Sequence, residues 1–255
     1  MTSWPAERVL RASAEWVSIW YPPQAVHRDE GWLEFYLVGS IATVMRVDAE
    51  NRKAAVLVPQ VLAEVRRHGA KRVLWKVGPG RVPAGTDQIL LGLGGSVDTI
   101  IDICAYPLGG PLPPAADSAA TARTVRTRDD VACFERTTAL AWGYPEPTEA
   151  DIDRTYAQLG PGYFLGYWKD RPAGAGGYGL AGEVARFWGA AVVAEFRGRG
   201  VYRALVRERM ADAGNRGGTL ALVHANAQTS SPILQRLGFG VYGQQRTLDI
   251  RADAA

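Results

Sequence analysis

The stretch that most constrains this 255-residue chain is Val192-Val-Ala-Glu-Phe-Arg-Gly-Arg-Gly-Val-Tyr-Arg-Ala-Leu-Val206. An apolar run from Val184 to Val193 reads as a strand leading into it. A run with Tyr202, Leu205, Val206, Met210 and Ala213 on one helical face leads out of it. Gly198 and Gly200 therefore stand where a strand becomes a helix. Such a junction turns successive backbone N–H groups toward the positive end of the helix, where phosphate oxygens bind. Side chains larger than hydrogen at 198 and 200 would block that approach.

Two familiar phosphate loops are excluded by residue type. A nucleoside-triphosphate loop needs Gly-Lys-Ser/Thr, and this chain has Gly200-Val-Tyr202. A dinucleotide fold needs a third glycine where Arg203 stands and an acidic residue about 20 positions on. The chain has no Asp or Glu between Ala213 and Leu248.

The surroundings of the loop give an element order. Thr124 to Thr127 reads as a short strand, followed by a helix capped by Asp129 with Val131, Phe134 and Thr138 on one face. Thr148 and Asp151 form a capping box before Ile152, Tyr156 and Leu159, a helix ended by Gly160. Tyr163–Trp168, Ala173–Leu180 and Val184–Val193 read as three strands joined by hairpins. Glycines at 174, 176, 177 and 179 weaken the middle strand and imply a close approach to its backbone. After the loop come a helix, a strand from Thr219 to His224, a short helix with Ser231 as cap and Pro232 at its first position, and a strand from Val241 to Arg251.

The first half echoes the end of that order. A strand Ser40–Val47, a helix Ala54–His68, a strand Arg72–Val77, a helix Asp87–Leu91 and a strand Val97–Tyr106 follow one another. The offset from helix start to strand start is 18 residues in both halves, 54 to 72 and 201 to 219, as in an internal repeat. Between the halves, Pro107-Leu-Gly-Gly-Pro-Leu-Pro-Pro114 and the following small residues read as a linker. The expected division is a first domain at 1–106, a linker at 107–120 and a second domain at 121–255.

Arg197-Gly-Arg-Gly-Val-Tyr202, together with Asn226 and Ser231-Pro-Ile-Leu-Gln-Arg-Leu-Gly-Phe239, resembles the two signature blocks of the GCN5-related N-acetyltransferase (GNAT) superfamily. The resemblance covers about residues 122 to 251. It implies an α/β (α+β) GNAT fold, with a mixed central sheet and helices on both faces, preceded by a degenerate GNAT-like copy. It further implies acetyl-coenzyme A as cofactor, with the backbone of Val192 and Val193 on the pantetheine arm and the amides of Gly198, Arg199, Gly200, Val201 and Tyr202 on the diphosphate. Arg197, Arg203 and Asn226 complete the expected cofactor set. Tyr202 stands where the family usually has glycine or alanine, and Leu234 where it often has the tyrosine that protonates the leaving thiolate. In the first half, Asp48-Ala-Glu-Asn-Arg-Lys53 occupies the place of the glycine loop.

Acetyl transfer to an amine requires an alkylammonium with a pKa of about 10 to lose a proton before it attacks. Glu183, at the start of the strand leading to the loop, and His224, at the end of the next strand, are the candidate bases, and Tyr242 is the candidate acid. Arg199, Arg203 and Arg207 recur at i, i+4, i+8, either as a solvated face or as phosphate contacts. The five first-half tryptophans (4, 16, 20, 32 and 75) read as core, and Trp142-Gly-Tyr-Pro-Glu-Pro147 as a border of the acceptor pocket.

Composition excludes other classes. With 47% hydrophobic and 22% charged residues the chain can bury a core, and a net charge of +3 falls short of a nucleic-acid footprint. The three histidines and two cysteines lack metal-ligand spacing, and no Gly-x-Ser-x-Gly elbow is present. Cys104 and Cys133 read as buried free thiols of a reducing cytoplasm, and no apolar run is long enough to span a membrane. The expected protein is a cytoplasmic acyl-CoA-dependent N-acyltransferase, monomer or homodimer, acting on a small-molecule or peptide amine. The alternative is a non-catalytic acyl-CoA-binding or regulatory module.

Overall fold

The structure is a computed structural model that describes residues 4–17, 21–22, 24–49, 52–115 and 119–254. The chain forms two compact units. One comprises Pro5–Cys104, His224–Ile233 and Val241 onward; the other comprises Trp4, Ala105–Val223 and Leu234–Gly240. These are not two consecutive segments, as the expected division at 106 and 121 implies.

The first unit contains α1 (Ala6–Ala14), β1 (Val26–Asp29), β2 (Leu33–Val38), β3 (Ile41–Val47), α2 (Ala54–Arg67), β4 (Arg72–Val77), α3 (Thr86–Gly92) and most of β5 (Ser96–Pro107). Alternation dictates its strands. Leu33, Phe35 and Leu37 of β2 and Val73, Trp75 and Val77 of β4 are buried, with more exposed residues between them. They pack on one stripe of α2, formed by Leu57, Val58, Val61, Leu62 and Val65. β1, β2 and β3 form an antiparallel meander, and β3 runs parallel to β4. The last strand of the chain, β11 (Gly240–Arg251), pairs antiparallel with β4 from Val77↔Arg246 to Arg72↔Arg251. It thereby joins the first half.

The second unit contains β6 (Ala120–Thr124), α4 (Arg128–Trp142), α5 (Glu149–Ala157), β7 (Tyr163–Trp168), β8 (Arg171–Ala181), β9 (Val184–Val192), α6 (Val201–Asn215) and the first half of β10 (Leu220–Asn226). The helix α7 (Ser230–Arg236) crosses between the units. β6, β7, β8 and β9 are antiparallel neighbours, and β9 and β10 are parallel. Leu165, Tyr167 and Ala175 turn to α4 and α5, where they pack with Val131, Phe134 and Ile152. Their sheet neighbours Gly166 and Gly174 face Val201 and Leu205 of α6. Helices therefore cover both faces of this sheet, as expected.

Several local expectations change. The strand expected at Thr124 starts at Ala120, because Ala120–Thr124 pairs with Trp168–Phe164. Thr127, not Asp129, caps α4, with Asp130 completing a capping box; the Thr148–Asp151 box at α5 is as expected. The start of the linker is bound rather than free: Leu108 N–H donates to the Thr219 carbonyl at 2.8 Å, Tyr106 Oη to the Pro111 carbonyl at 2.6 Å, and Arg207 to the Pro113 carbonyl. Residues 116–118 of that stretch lie outside the described residues.

The glycines of β8 have a packing explanation. A Cβ on Gly174 would lie 2.8 Å from the Ala191 carbonyl oxygen and 3.2 Å from Val201, and one on Gly177 would lie 2.3 Å from the Trp188 ring. On β7, a Cβ on Gly166 would lie 2.8 Å from Val201 Cγ1 and 3.0 Å from Leu205 Cγ. Bare backbone thus lets α6 settle close on the sheet. Arg209, 1% exposed, fixes it there: Nε donates to the Leu205 carbonyl and Nη1 to the Gly177 carbonyl at 3.1 Å, with the guanidinium 4.6 Å from the Phe187 ring centre. Burial pushes its pKa down to about 10.

Gly166→Ala is expected to lower stability by about 1–3 kcal/mol through overpacking beneath α6. Gly179→Ala, where a Cβ meets nothing within 4 Å, is expected to change it by less than about 0.5 kcal/mol. Urea unfolding midpoints of the two variants check the contrast.

Candidate active site

The strand-to-helix junction adopts the geometry its glycines permit. After β9 a single 3-10 turn, Ala194–Phe196, leads to Gly198 at φ +76° and Gly200 at φ +82°. Both are left-handed, a conformation that costs a side-chain-bearing residue roughly 1–2 kcal/mol. Gly200 is the N-cap of α6 and supplies no side-chain cap, so the first-turn amides are left for an acceptor from outside the helix. Nothing lies within 4 Å of where a Cβ on Gly198 would stand. The junction is open, exposed and rich in donors.

The strand before it outruns its parallel partner. The β9–β10 register runs from Val184↔Leu220 to Phe187↔Val223 and goes no further, although β9 continues to Val192. Between Ala175 and Gly177 the β8–β9 register shifts, and Gly189 at φ +64° lies in this bulge. Gly189, Ala190 and Ala191 leave this part of the strand without bulk, and none of them is buried. An isolated glycine in an apolar run, here Gly189, is the sequence signal for such a bulge.

Backbone groups here divide by direction. Val193 N–H donates to the Ala173 carbonyl at 2.9 Å, so it belongs to the sheet and does not face an arm lying along the strand. Strand alternation turns Val192 the other way. Its carbonyl accepts from Arg197 Nε at 3.2 Å, which fixes Arg197 in the loop. Tyr202 is half-buried. Arg199 lies over the Trp168 ring at 5.5 Å and Arg207 is held by Pro113, whereas Arg203 is exposed and has no hydrogen bond or ion pair among the described residues.

The expected proton-transfer residues are dispersed. Glu183 accepts from Thr219 Oγ1 at 2.5 Å, and Thr219 also accepts from Trp4 Nε1 at 3.1 Å. It precedes β9, nine residues from Val192, which at about 3.3 Å per residue is the opposite end of the strand from the glycines. His224 Nε2 lies 2.8 Å from Ser13 Oγ and 3.4 Å from Gln245 Nε2, and its ring stacks on Trp16 at 4.5 Å. Ser13 and Gln245 are fully buried, so this nitrogen is committed within the first unit. Tyr242 is half-buried on β11, and its hydroxyl has no hydrogen-bond partner among the described residues. Asn226 serves the backbone: its Oδ1 accepts from Gln228 N–H at 2.9 Å and Thr229 N–H at 3.1 Å, which launches α7. Leu234 is fully buried.

The helix cap expected at Ser231 is also reassigned. Ser231 lies inside α7 and is fully buried, donating to Asp102 Oδ2 at 2.6 Å, while Gln244 donates to Asp102 Oδ1 at 2.9 Å. Cys104 and Cys133 are free thiols, and burial pushes both pKa values up. The fold brings Glu30, Glu64 and His68 together, with His68 Nε2 3.1 Å from Glu30 and 3.2 Å from Glu64. Spacing alone does not reveal that cluster, because Glu30 comes from the turn before β2. Of the expected core tryptophans, Trp4 and Trp75 are buried and Trp32 lies under Arg52; Trp20 lies outside the described residues. At the end of α4, Trp142 and Tyr144 are about half exposed, their rings parallel within 14° and 6.4 Å apart.

Residues 130–239 match the family model for the acetyltransferase (GNAT) family. Solved structures with the same fold include a GCN5-related N-acetyltransferase from Sphaerobacter thermophilus, with a TM-score of 0.65 and 18% identity over 87% of this chain and 77% of that one. Another, from Kribbella flavida, has a TM-score of 0.62 and 16% identity over 89% and 90% of the two chains. A tandem GNAT protein from the clavulanic acid biosynthesis pathway, solved without AcCoA, has a TM-score of 0.62 and 18% identity over 96% and 88%. No curated protein matches the sequence. No helix among the described residues is long and apolar enough to cross a membrane.

Gly200→Ala is expected to cost about 1–2 kcal/mol, because only glycine adopts its left-handed cap freely. Gly92→Ala, within α3 at ordinary φ and with nothing within 4 Å of the added Cβ, is expected to be neutral or stabilising. Thermal unfolding of both variants reads the difference.

Proposed function

We propose that this chain is an acyl-CoA-dependent N-acyltransferase that transfers acetyl directly to an amine. The observation that carries this reading is a left-handed glycine turn at the head of α6, directly after a strand that outruns its parallel partner. The amides around Gly198–Tyr202 suit a diphosphate, Arg203 suits a further phosphate, and Val192 N–H suits the pantetheine arm. Acetyl-coenzyme A would supply the activated acyl group as a thioester. The free thiols Cys104 and Cys133 fit a reducing compartment such as the cytoplasm.

In the reaction the amine nitrogen forms a bond to the acyl carbon, the carbon–sulfur bond breaks, and the amine gives up a proton. Glu183 braces a turn at the far end of β9, and His224 Nε2 is held by Ser13 and Gln245. We therefore assign proton acceptance to water in the cleft, and activity should rise with pH as the acceptor amine deprotonates. The position often filled by tyrosine in the family holds the buried Leu234, so protonation of the leaving thiolate is left to water. Trp142 and Tyr144, exposed at the α4–α5 turn, favour an acceptor with an apolar or aromatic body.

The burial of Leu234 also favours a second reading, in which the chain binds acyl-CoA without turning it over. Release of free thiol from acetyl-coenzyme A across an amine panel separates the two, since a binding module releases none.

Calorimetry is expected to find one coenzyme A site per chain, because α2 starts from Lys53 in extended conformation and the sequence Asp48–Lys53 before it has no glycine and carries two carboxylates, which repel a diphosphate. Gly198→Val is expected to weaken that binding by about tenfold or more, equivalent to one lost charge-assisted contact. Unchanged affinity in a folded variant would remove the cofactor assignment. Glu183→Gln and His224→Gln should keep the acidic limb of the pH–rate profile. A loss of about 10²-fold in either would reinstate that residue as the base.

A further inference from the structure

The β3–α2–β4 segment repeats the geometry of β9–α6–β10. In each, four parallel pairs are in register and pairing then stops, at Val44↔Trp75 in one and Phe187↔Val223 in the other. Lys76 thus holds in β4 the place that His224 holds in β10. Trp75 and Val77 turn into the α2 core, so Lys76 emerges on the opposite face of the sheet. There a cavity of about 200 Å³ opens among Ala14, Val17, the end of β3, Lys76 and Arg81.

Two cations meet in this cavity. Arg81 is held by neutral acceptors, the carbonyls of Trp16 at 3.0 Å and Met45 at 3.2 Å, which leave its charge uncompensated. Lys76 makes no side-chain hydrogen bond and no ion pair with any described residue. Arg46 also reaches the cavity, but Glu34 and Asp29 neutralise it at 3.3 and 3.6 Å. Burial and the charge of Arg81 lower the Lys76 pKa, and burial lowers that of Arg81. Holding two like charges out of water is unfavourable unless something of opposite charge joins them.

We propose that this cavity binds a small organic carboxylate, its oxygens taken by Lys76 and Arg81 and its apolar body lying against Val44, Met45 and Val82. The volume is below the roughly 300–1,000 Å³ that drug-sized ligands occupy, which excludes a nucleotide. Val44, Met45 and Val82 give it one apolar wall beside the two cations, which suits a carboxylate with a short hydrocarbon body. The site is independent of the glycine loop and of the acyl-transfer reading.

The test is calorimetry on the full chain with butyrate, benzoate, benzamide, inorganic phosphate and coenzyme A. Butyrate or benzoate should bind saturably at one site per chain, and benzamide should not. Lys76→Met should weaken carboxylate binding by about tenfold or more while its unfolding midpoint stays the same or rises, since it replaces a half-buried ammonium by an apolar chain of similar length. Arg81→Gln, read the same way, guards against one variant failing to fold. Absence of carboxylate binding, or equal affinity in both variants, would overturn the proposal. So would binding of phosphate in preference to carboxylates, or displacement of the carboxylate by coenzyme A.

Discussion

The close seating of α6 on β7 and β8 is the contact on which the rest of the second unit depends. Missing side chains at Gly166 and Gly174 allow it, Val201 and Leu205 fill the space, and Arg209 locks it from beneath. The consequence travels along the helix to its start. Because Val201 is both a packing residue and the first residue of α6, the depth at which the helix sits also fixes where Gly200 and its neighbouring amides emerge. The place of the glycine turn is therefore set by the packing of the core below it.

Positive charge drawn away from solvent, fully at Arg209 and partly at Lys76 and Arg81, is handled in two ways in this molecule. Arg209 spreads its charge over two carbonyls and an aromatic face, and it acts as a structural tie. Lys76 and Arg81 have only carbonyls on one of the pair and each other's repulsion, beside open volume. The first arrangement is closed and the second is incomplete. Such a difference in compensation, more than burial itself, separates a cation that holds a fold together from one that awaits a ligand.

Much of the second unit was legible because its signals are local. The capping box at Thr148, the strand Tyr163–Trp168 and the glycine turn each depend on residues close in sequence, and each stands where expected. α1, β1 and β2 are hard to read in sequence, since each spans nine residues or fewer and charged residues interrupt its apolar pattern. The site's chemistry was harder to read for a physical reason. Whether Glu183, His224 or Asn226 is free to act depends on Thr219, Ser13 or a nearby backbone amide claiming its polar atoms. For Glu183 and His224 the claim comes from far along the chain. The glycines of β8 signal a close approach, and the approaching groups at Gly174 and Gly177 are α6, β9 backbone and Trp188.

The pairing of β11 with β4 sets an order on the birth of the molecule. β4 is complete at Val77, yet its partner begins at Gly240, so more than half the chain must be made before that edge can close. During synthesis the first unit would wait with unpaired backbone groups along β4, a template for any stray strand. Lys76 and Arg72, spaced along that strand, give the waiting edge charges that discourage such pairing. The first half is translated first but can be finished only last, so its folding is gated by the ribosome's progress through the second.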